Sequence, residues 1–289
     1  MAGLLAALGA AMVWTTASSL WRSVSSNGNG SALQLNTIKN GLATLLFLPV
    51  LMSLPWRANG QGVTLLLLSG VIGIAVGDSF YLAALRRLGT RRTLTVEAIG
   101  PVLGSIGSVL LMQDTLPWKA WIGAVLVSSA VLLVARQSSE PNRSETGNTP
   151  LIHGVMLCLL AVISGLAGAF LARHVLLETS LSPLQTAAVR LLGGLLVLMP
   201  VLRTTPSTQL SRNWGSWWRI VIATVLGTNL GIALQQLVFR ELPVGPGVTL
   251  MATAPVMALL IAPLEGDAIQ PLGVLAALLA LAGVAVTTL

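Results

Sequence analysis

Residues Gly73–Pro117 read GIAVGDSFYLAALRRLGTRRTLTVEAIGPVLGSIGSVLLMQDTLP. The same punctuation returns 154 positions later without a gap: Gly73 falls on Gly227, Gly77 on Gly231, Arg86 on Arg240, Pro101 on Pro255 and Pro117 on Pro271. An earlier block repeats at 151 positions, placing Gly3 on Gly154, Arg22 on Arg173, Ser31 on Ser182, Gln34 on Gln185 and Pro49 on Pro200. Lys39 meets Arg190 in that register. Matching Leu and Ala mean little in so apolar a chain. Matching Gly and Pro weigh more, because each imposes a special backbone or a close contact. The chain therefore reads as one five-helix unit used twice, over residues 1–136 and 151–289, joined by a polar linker at 137–150.

Composition fixes the medium. A mean hydropathy of +0.85 with 9% charged residues excludes an ordinary soluble domain. Apolar runs recur, each near the roughly 20 residues that span a bilayer. The net charge of +7 does not point to nucleic acid, because the arginines sit in short loops between apolar runs. The single cysteine, Cys158, lies inside an apolar run and makes neither a disulfide framework nor a thiolate metal site. Residues 1–20 lack a basic leader segment and read as a first helix.

Ten spans are predicted. The first unit gives about Ala2–Leu20, Leu33–Leu54, Val63–Leu85, Thr93–Met112 and Pro117–Arg136. The second gives about Leu151–Leu171, Pro183–Leu202, Trp217–Phe239, Gly247–Leu264 and Pro271–Leu289. The expected fold is thus an all-α integral membrane protein. Five helices per unit is an odd number, so the second unit enters from the opposite face. The halves then form an inverted repeat, a plan that recurs in secondary transporters with a midplane site between halves. Arginines crowd the loops away from the termini, including Arg22, Arg86, Arg87, Arg91, Arg92 and Arg136. Counted by the positive-inside rule, they put the termini outside.

Polar groups inside spans are expensive and are functional candidates by default. Lys39, Asp78, Glu97 and Trp14 come to similar depth near the Arg-rich face. Lys39 can pair with Asp78 or Glu97, and either carboxyl is a candidate for carrying a coupled proton. Arg190, the inverted partner of Lys39, can present positive charge to an anionic or zwitterionic solute, or tether neighbouring carbonyls. Thr228, Asn229 and Gln235, with Tyr81 as the counterpart of Gln235, suit the orientation of a polar solute. Each has a bland alternative: Lys39 can snorkel, Glu97 can sit in wet interface, and the amides can bond between helices. Gly73-x-x-x-Gly77, Gly100-x-x-x-Gly104 and Gly227-x-x-x-Gly231 allow close helix approach. Pro101 and Pro255 interrupt the fourth and ninth helices. Trp214, Trp217 and Trp218 mark a membrane interface.

His153 and His174 belong to no metal motif, and there is no nucleophile elbow or phosphate loop. No cofactor is expected, and the chain does not read as an enzyme. The expected partners are a small solute, the lipid bilayer and, for coupling, protons, in a monomer or homodimer.

The duplicated plan resembles the drug/metabolite transporter superfamily, in particular its ten-helix EamA-type members. The carriers are Lys39 and Arg190 in helices two and seven, the Gly-containing runs GIAVGDSFYLAAL and GTNLGIALQQLVF, Pro101–Val102 and Pro255–Val256, and the runs WIGAVLVSSAVLLVA and LGVLAALLALAGVAV. Gly100 and Ala254 stand where that family commonly has Glu before the proline. The resemblance implies a cell inner-membrane, multi-pass carrier of small metabolites, often an exporter of amino acids or related polar solutes by proton exchange. It also implies termini in the cytoplasm, opposite to the arginine count, and a cavity lined by helices one, three, four, six, eight and nine. A lipid or lipid-linked sugar flippase of the same fold, or a non-transporting membrane scaffold, is the competing reading.

Overall fold

The computed structural model describes residues 1–25, 32–56, 59–137, 151–204, 214–261 and 271–288. The linker after Gln137 and the acidic stretch around Glu265 lie outside the described residues. Among the described residues the chain is helical, with no strand. The first unit comprises α1 (Ala2–Ser25), α2 (Ala32–Leu46), α3 (Leu48–Met52), α4 (Gly60–Gly70), a π-helical segment π1 (Val71–Gly77), α5 (Asp78–Glu97), α6 (Gly100–Met112) and α7 (Trp118–Gln137). The second comprises α8 (Leu151–Glu178), α9 (Pro183–Thr204), α10 (Trp214–Ala223), π2 (Thr224–Leu230), α11 (Gly231–Glu241), α12 (Val244–Met251), α13 (Ala254–Ile261) and α14 (Pro271–Thr288).

Eight helices are long and apolar enough to cross a membrane, and Val244–Leu259 is a shorter apolar helix. The second and ninth predicted spans are the ones not among the eight. Pro49 has no N–H to give Leu45, and the helix breaks at Phe47 before restarting as α3. Pro255 likewise has none to give Met251, and α12 gives way to α13 across Ala252 and Thr253. Pro101 breaks the chain at Ala98 and Ile99 in the same way.

The loop expected at 86–92 is helical, yet the chain still reverses there. Ala84 and Leu88 pack with Cys158, and a Cβ on Gly154 would meet Leu88. The Cys158 thiol then donates to the Thr93 carbonyl at 3.6 Å, and further on Gly104 meets Leu166 and Gly107 meets Phe170. Contacts with α8 therefore run down the helix through α5 and back up it through α6.

Packing does not follow the division into units. Every extensive contact of α1 among the described residues is with α10, π2, α11, α12 or α13 of the second unit. In return, α8 packs mainly on α4, π1, α5 and α6 of the first. The two crossings correspond residue by residue. Gly3 packs on Leu242, Trp14 on Gly231 and Ala17 on Gly227. With α1 advanced by 151 positions and α11 set back by 154, the same pairs become Gly154 with Leu88, Gly165 with Gly77 and Gly168 with Gly73, all in contact. Both crossings are antiparallel.

The core divides accordingly. Phe47, Leu66, Val175, Leu181 and Leu191 form one cluster among α2, α3, α4, α8 and α9. Ala6, Ala10, Phe170, Val238, Phe239 and Leu250 form another among α1, α8, α11 and α12. The predicted interfacial Trp217 and Trp218 are exposed, with the Arg219 guanidinium 5.6 Å from the Trp218 ring centre.

Glycine is required where α4 crosses α9. A Cβ on Gly70 would fall on the Arg190 carbonyl oxygen, and one on Gly193 would sit 2.8 Å from the Leu67 Cα. The obstruction is backbone, which cannot swing aside as a side chain can. Gly70→Ala should therefore destabilise the folded protein by about 1–3 kcal/mol, the usual range for overpacking. A lowered thermal unfolding midpoint in detergent, alongside an unchanged midpoint for Gly60→Ala, checks it; a Cβ at Gly60 meets nothing within 4 Å.

Candidate functional site

π-Helical segments are rare and cluster at functional positions. Here one lies in each unit, at matching places, with Gly73 and Gly77 inside π1 and Gly227 inside π2.

Asp78 opens α5 and takes the ion pair that the sequence allowed. Lys39 Nζ donates to Asp78 Oδ2 at 2.8 Å, with the side chains 21% and 37% exposed. Neither is sealed in the core nor free in solvent. Lys39 thus has a partner in α5, which replaces snorkelling as its role. Glu97, at the far end of α5, lies within electrostatic reach of Asp78. Tyr81 feels Glu97 most strongly, then Cys158 and Asp78. Lys39, Asp78, Tyr81 and Glu97 therefore belong to one neighbourhood.

Arg190 joins them from α9. The residue is 4% exposed, and one guanidinium nitrogen donates to Gln235 Oε1 at 3.3 Å. Its Nη2 lies 3.2 Å from where a Gly73 Cβ would stand, and Asp78 is the carboxylate that acts on it. Gln235 Oε1 also faces the amide of Gln236 at 3.4 Å. The tether to backbone carbonyls allowed for Arg190 is not what its hydrogen bond is.

Trp14, Thr228 and Asn229 gather at π2. Trp14 Nε1 donates to the Gly227 carbonyl at 2.9 Å, and the indole covers Gly231. Asn229 donates its amide to the Ala43 carbonyl of α2 at 2.9 Å, while its Oδ1 has no hydrogen-bond partner. Thr228 is buried. The bonds of Trp14 and Asn229 are helix-to-helix ones. Gln235 lies one turn beyond Gly231, so the Trp14 group adjoins the Arg190 group along α11.

Two features carried little sequence signal. Thr15 Oγ1 donates to Ala254 O at 2.9 Å, and Ser69 Oγ donates to Gly168 O at 2.6 Å, joining the units at the breaks and crossings. More prominently, Arg173 donates to the Phe239 carbonyl at 2.6 Å and to the Leu242 carbonyl, and its Nη2 lies 3.7 Å from Asp114 Oδ1. Asp114 follows Gln113, a left-handed residue with φ 56° that ends α6. This group clasps the C-terminal ends of α6, α8 and α11. The repeat does pair Arg173 with Arg22, a signal that the clasp could have been sought by. Among the described residues no group of three or more His, Cys, Asp or Glu could hold a metal ion.

A bundle of membrane-length helices, duplicated in sequence, with Lys39–Asp78 paired inside the first unit and Arg173 beside Asp114 across the two, is a multi-pass membrane protein. The model of the EamA-like transporter family matches residues 1–136 and 152–289, and the chain belongs to that family. No curated protein matches it. One solved crystal structure shares the fold with a TM-score of 0.77 at 17% identity, covering 99% of this chain and 96% of the other.

The half-buried ion pair is open to a direct test. Lys39→Met leaves the Asp78 carboxylate without its cation, and Asp78→Asn leaves the Lys39 ammonium without its anion. Each should destabilise the protein by more than the double variant departs from their sum, a coupling of about 0.5–3 kcal/mol. A double-mutant cycle read by thermal or denaturant unfolding in detergent measures it.

Proposed function

We propose that this protein is a ten-span secondary transporter, built as two inverted five-helix units, that moves a small polar solute by alternating access. The observation that carries this reading is the exchange of contacts between units. Each pair on the α1–α11 crossing has its counterpart on the α8–α5 or α8–π1 crossing. Such reciprocity is the signature of a two-fold relation between matching surfaces. Combined with an odd number of spans per unit, it supports an axis in the membrane plane. The second span would then be α2 with α3, and the ninth α12 with α13.

The bodies that move are inferred from the packing. α1 would travel with the second unit and α8 with the first, because those are the elements they grip. The solute site falls between them, near Lys39, Tyr81, Asn229 and Gln235, with Trp14, Thr228 and Arg190 around it. The unlike residues at equivalent places support an opening here. Trp14 fills its crossing, whereas its counterpart Gly165 has nothing within 4 Å of a built Cβ.

Proton coupling is assigned to Asp78 or Glu97. Glu97 is faced by Asp78 and Tyr81 from α5 and by Cys158 from α8, and Asp78 by Lys39 from α2 and Arg190 from α9. A change of protonation at either carboxyl alters the charge that Lys39 and Arg190 must balance. That is a lever on the two-state equilibrium of the carrier. The family relationship supports transport of a small solute, and within that class we infer export of amino acids or related polar solutes across an inner membrane.

Counterflow of labelled amino acids and nucleosides in proteoliposomes holding the full chain tests the reading. Saturable exchange of at least one solute is expected; no exchange by folded protein would refute it. Asp78→Asn or Glu97→Gln should flatten the pH dependence of that exchange. If both variants keep the wild-type pH profile, the assigned coupling groups are wrong.

A further inference from the structure

Lys39, Arg190 and Asp78 bring two cations and one carboxylate into a single neighbourhood. Asp78 touches Lys39 at 2.8 Å and acts on Arg190 without an ion pair between them among the described residues. Arg190 is 4% exposed, its Nε has no hydrogen-bond partner among the described residues, and its hydrogen bond is to the neutral oxygen of Gln235 at 3.3 Å. A guanidinium has five N–H donors in a fixed fork. Burying that charge with one neutral acceptor is unfavourable.

Arg173 shows how this chain satisfies an arginine for structure alone. Its Nε, like that of Arg190, lacks a hydrogen-bond partner among the described residues, but its terminal nitrogens hold the Phe239 and Leu242 carbonyls and lie beside Asp114. Arg190 has no comparable set. Gly73 adds to the contrast: the absence of a Cβ, 3.2 Å from Nη2, keeps the fork clear on the π1 side. An oxyanion meeting this fork would form paired, charge-assisted hydrogen bonds and supply the missing negative charge. Gln235 is suited to give way, since its amide hangs on a flexible side chain and can turn its NH2 toward the incoming group.

We propose that Arg190 is the specificity-determining residue of the transport site, that the solute carries a carboxylate, and that this carboxylate replaces the Gln235 oxygen on the guanidinium. This rests on the transport reading above and adds to it the chemical group that the solute must present.

The test uses the purified full chain and three probe sets: the amino acids, their carboxamides, and the matching acids that lack the amine. Binding is read as a shift of the thermal unfolding midpoint in detergent. At least one acid should bind while its carboxamide does not. Arg190→Gln should weaken that acid roughly tenfold or more, as expected for loss of a charge-assisted bidentate pair. Where Arg190→Gln does not fold, Arg190→Lys serves instead, since it keeps the charge and loses the fork, and the acid should still weaken relative to the amide.

The proposal is overturned if wild-type protein binds amides as well as acids, or if the folded Arg190 variant discriminates as wild type does. It is also overturned if no acid in the panel binds. Proteoliposome counterflow separates the two claims. Flux of a neutral nucleoside without acid binding would sink the role of Arg190 and leave transport standing, whereas no flux of any probe would sink both.

Discussion

Two helices, each seated against glycines in or beside a π-helical turn of the opposite unit, make the contact on which the rest depends. Gly73 and Gly77 accept Gly168 and Gly165 of α8, and Gly227 and Gly231 accept Ala17 and Trp14 of α1. In lipid there is no hydrophobic drive to press helices together, so close packing and interhelical hydrogen bonds must hold them. The crossings supply both. Ser69 reaches Gly168 O, and Trp14 reaches Gly227 O. Because each crossing joins one unit to the other, neither unit closes on itself. The interdigitated molecule follows from that.

The same crossings set the place of the charges. Gly70 lets the Arg190 backbone of α9 come close, and the missing Cβ of Gly73 leaves room for its guanidinium beside π1. Asp78 is thereby within reach of a cation from α2 and another from α9. One it grips and the other it only attracts. Arg173, at the other end of α8, closes its hydrogen bonds on carbonyls at the end of α11 and acts as a clasp. Two arginines in similar apolar surroundings thus differ in kind because their supply of acceptors differs.

Proline segments three of the predicted spans. Pro49, Pro101 and Pro255 each remove one N–H and split a span into two pieces. Thr15 of α1 bonds to Ala254 beside one such break. Broken helices at membrane depth are tolerated where neighbours satisfy the freed backbone. The paired breaks before Pro101 and Pro255 make the fourth and ninth spans segmented in the same place.

By itself the sequence determined the medium, the duplication, the special backbone positions and the short roster of polar residues that lipid would not accept without a purpose. These are properties of composition and of Gly and Pro chemistry, which act locally and repeat visibly. It also limited Lys39 to two carboxyl partners, and α5 supplied Asp78. Tertiary structure decided the rest. That α1 belongs with the second unit, that Arg190 meets the Gln235 side chain and not a backbone carbonyl, that Asn229 spends its amide on Ala43, and that Arg173 and Asp114 form a clasp all depend on which helix faces meet. Residues 1–136 and 151–289 look like two separable blocks in the sequence because a repeat records ancestry along the chain. Packing instead answers to surface fit, and here the fitting surface of each first helix lies on the other block.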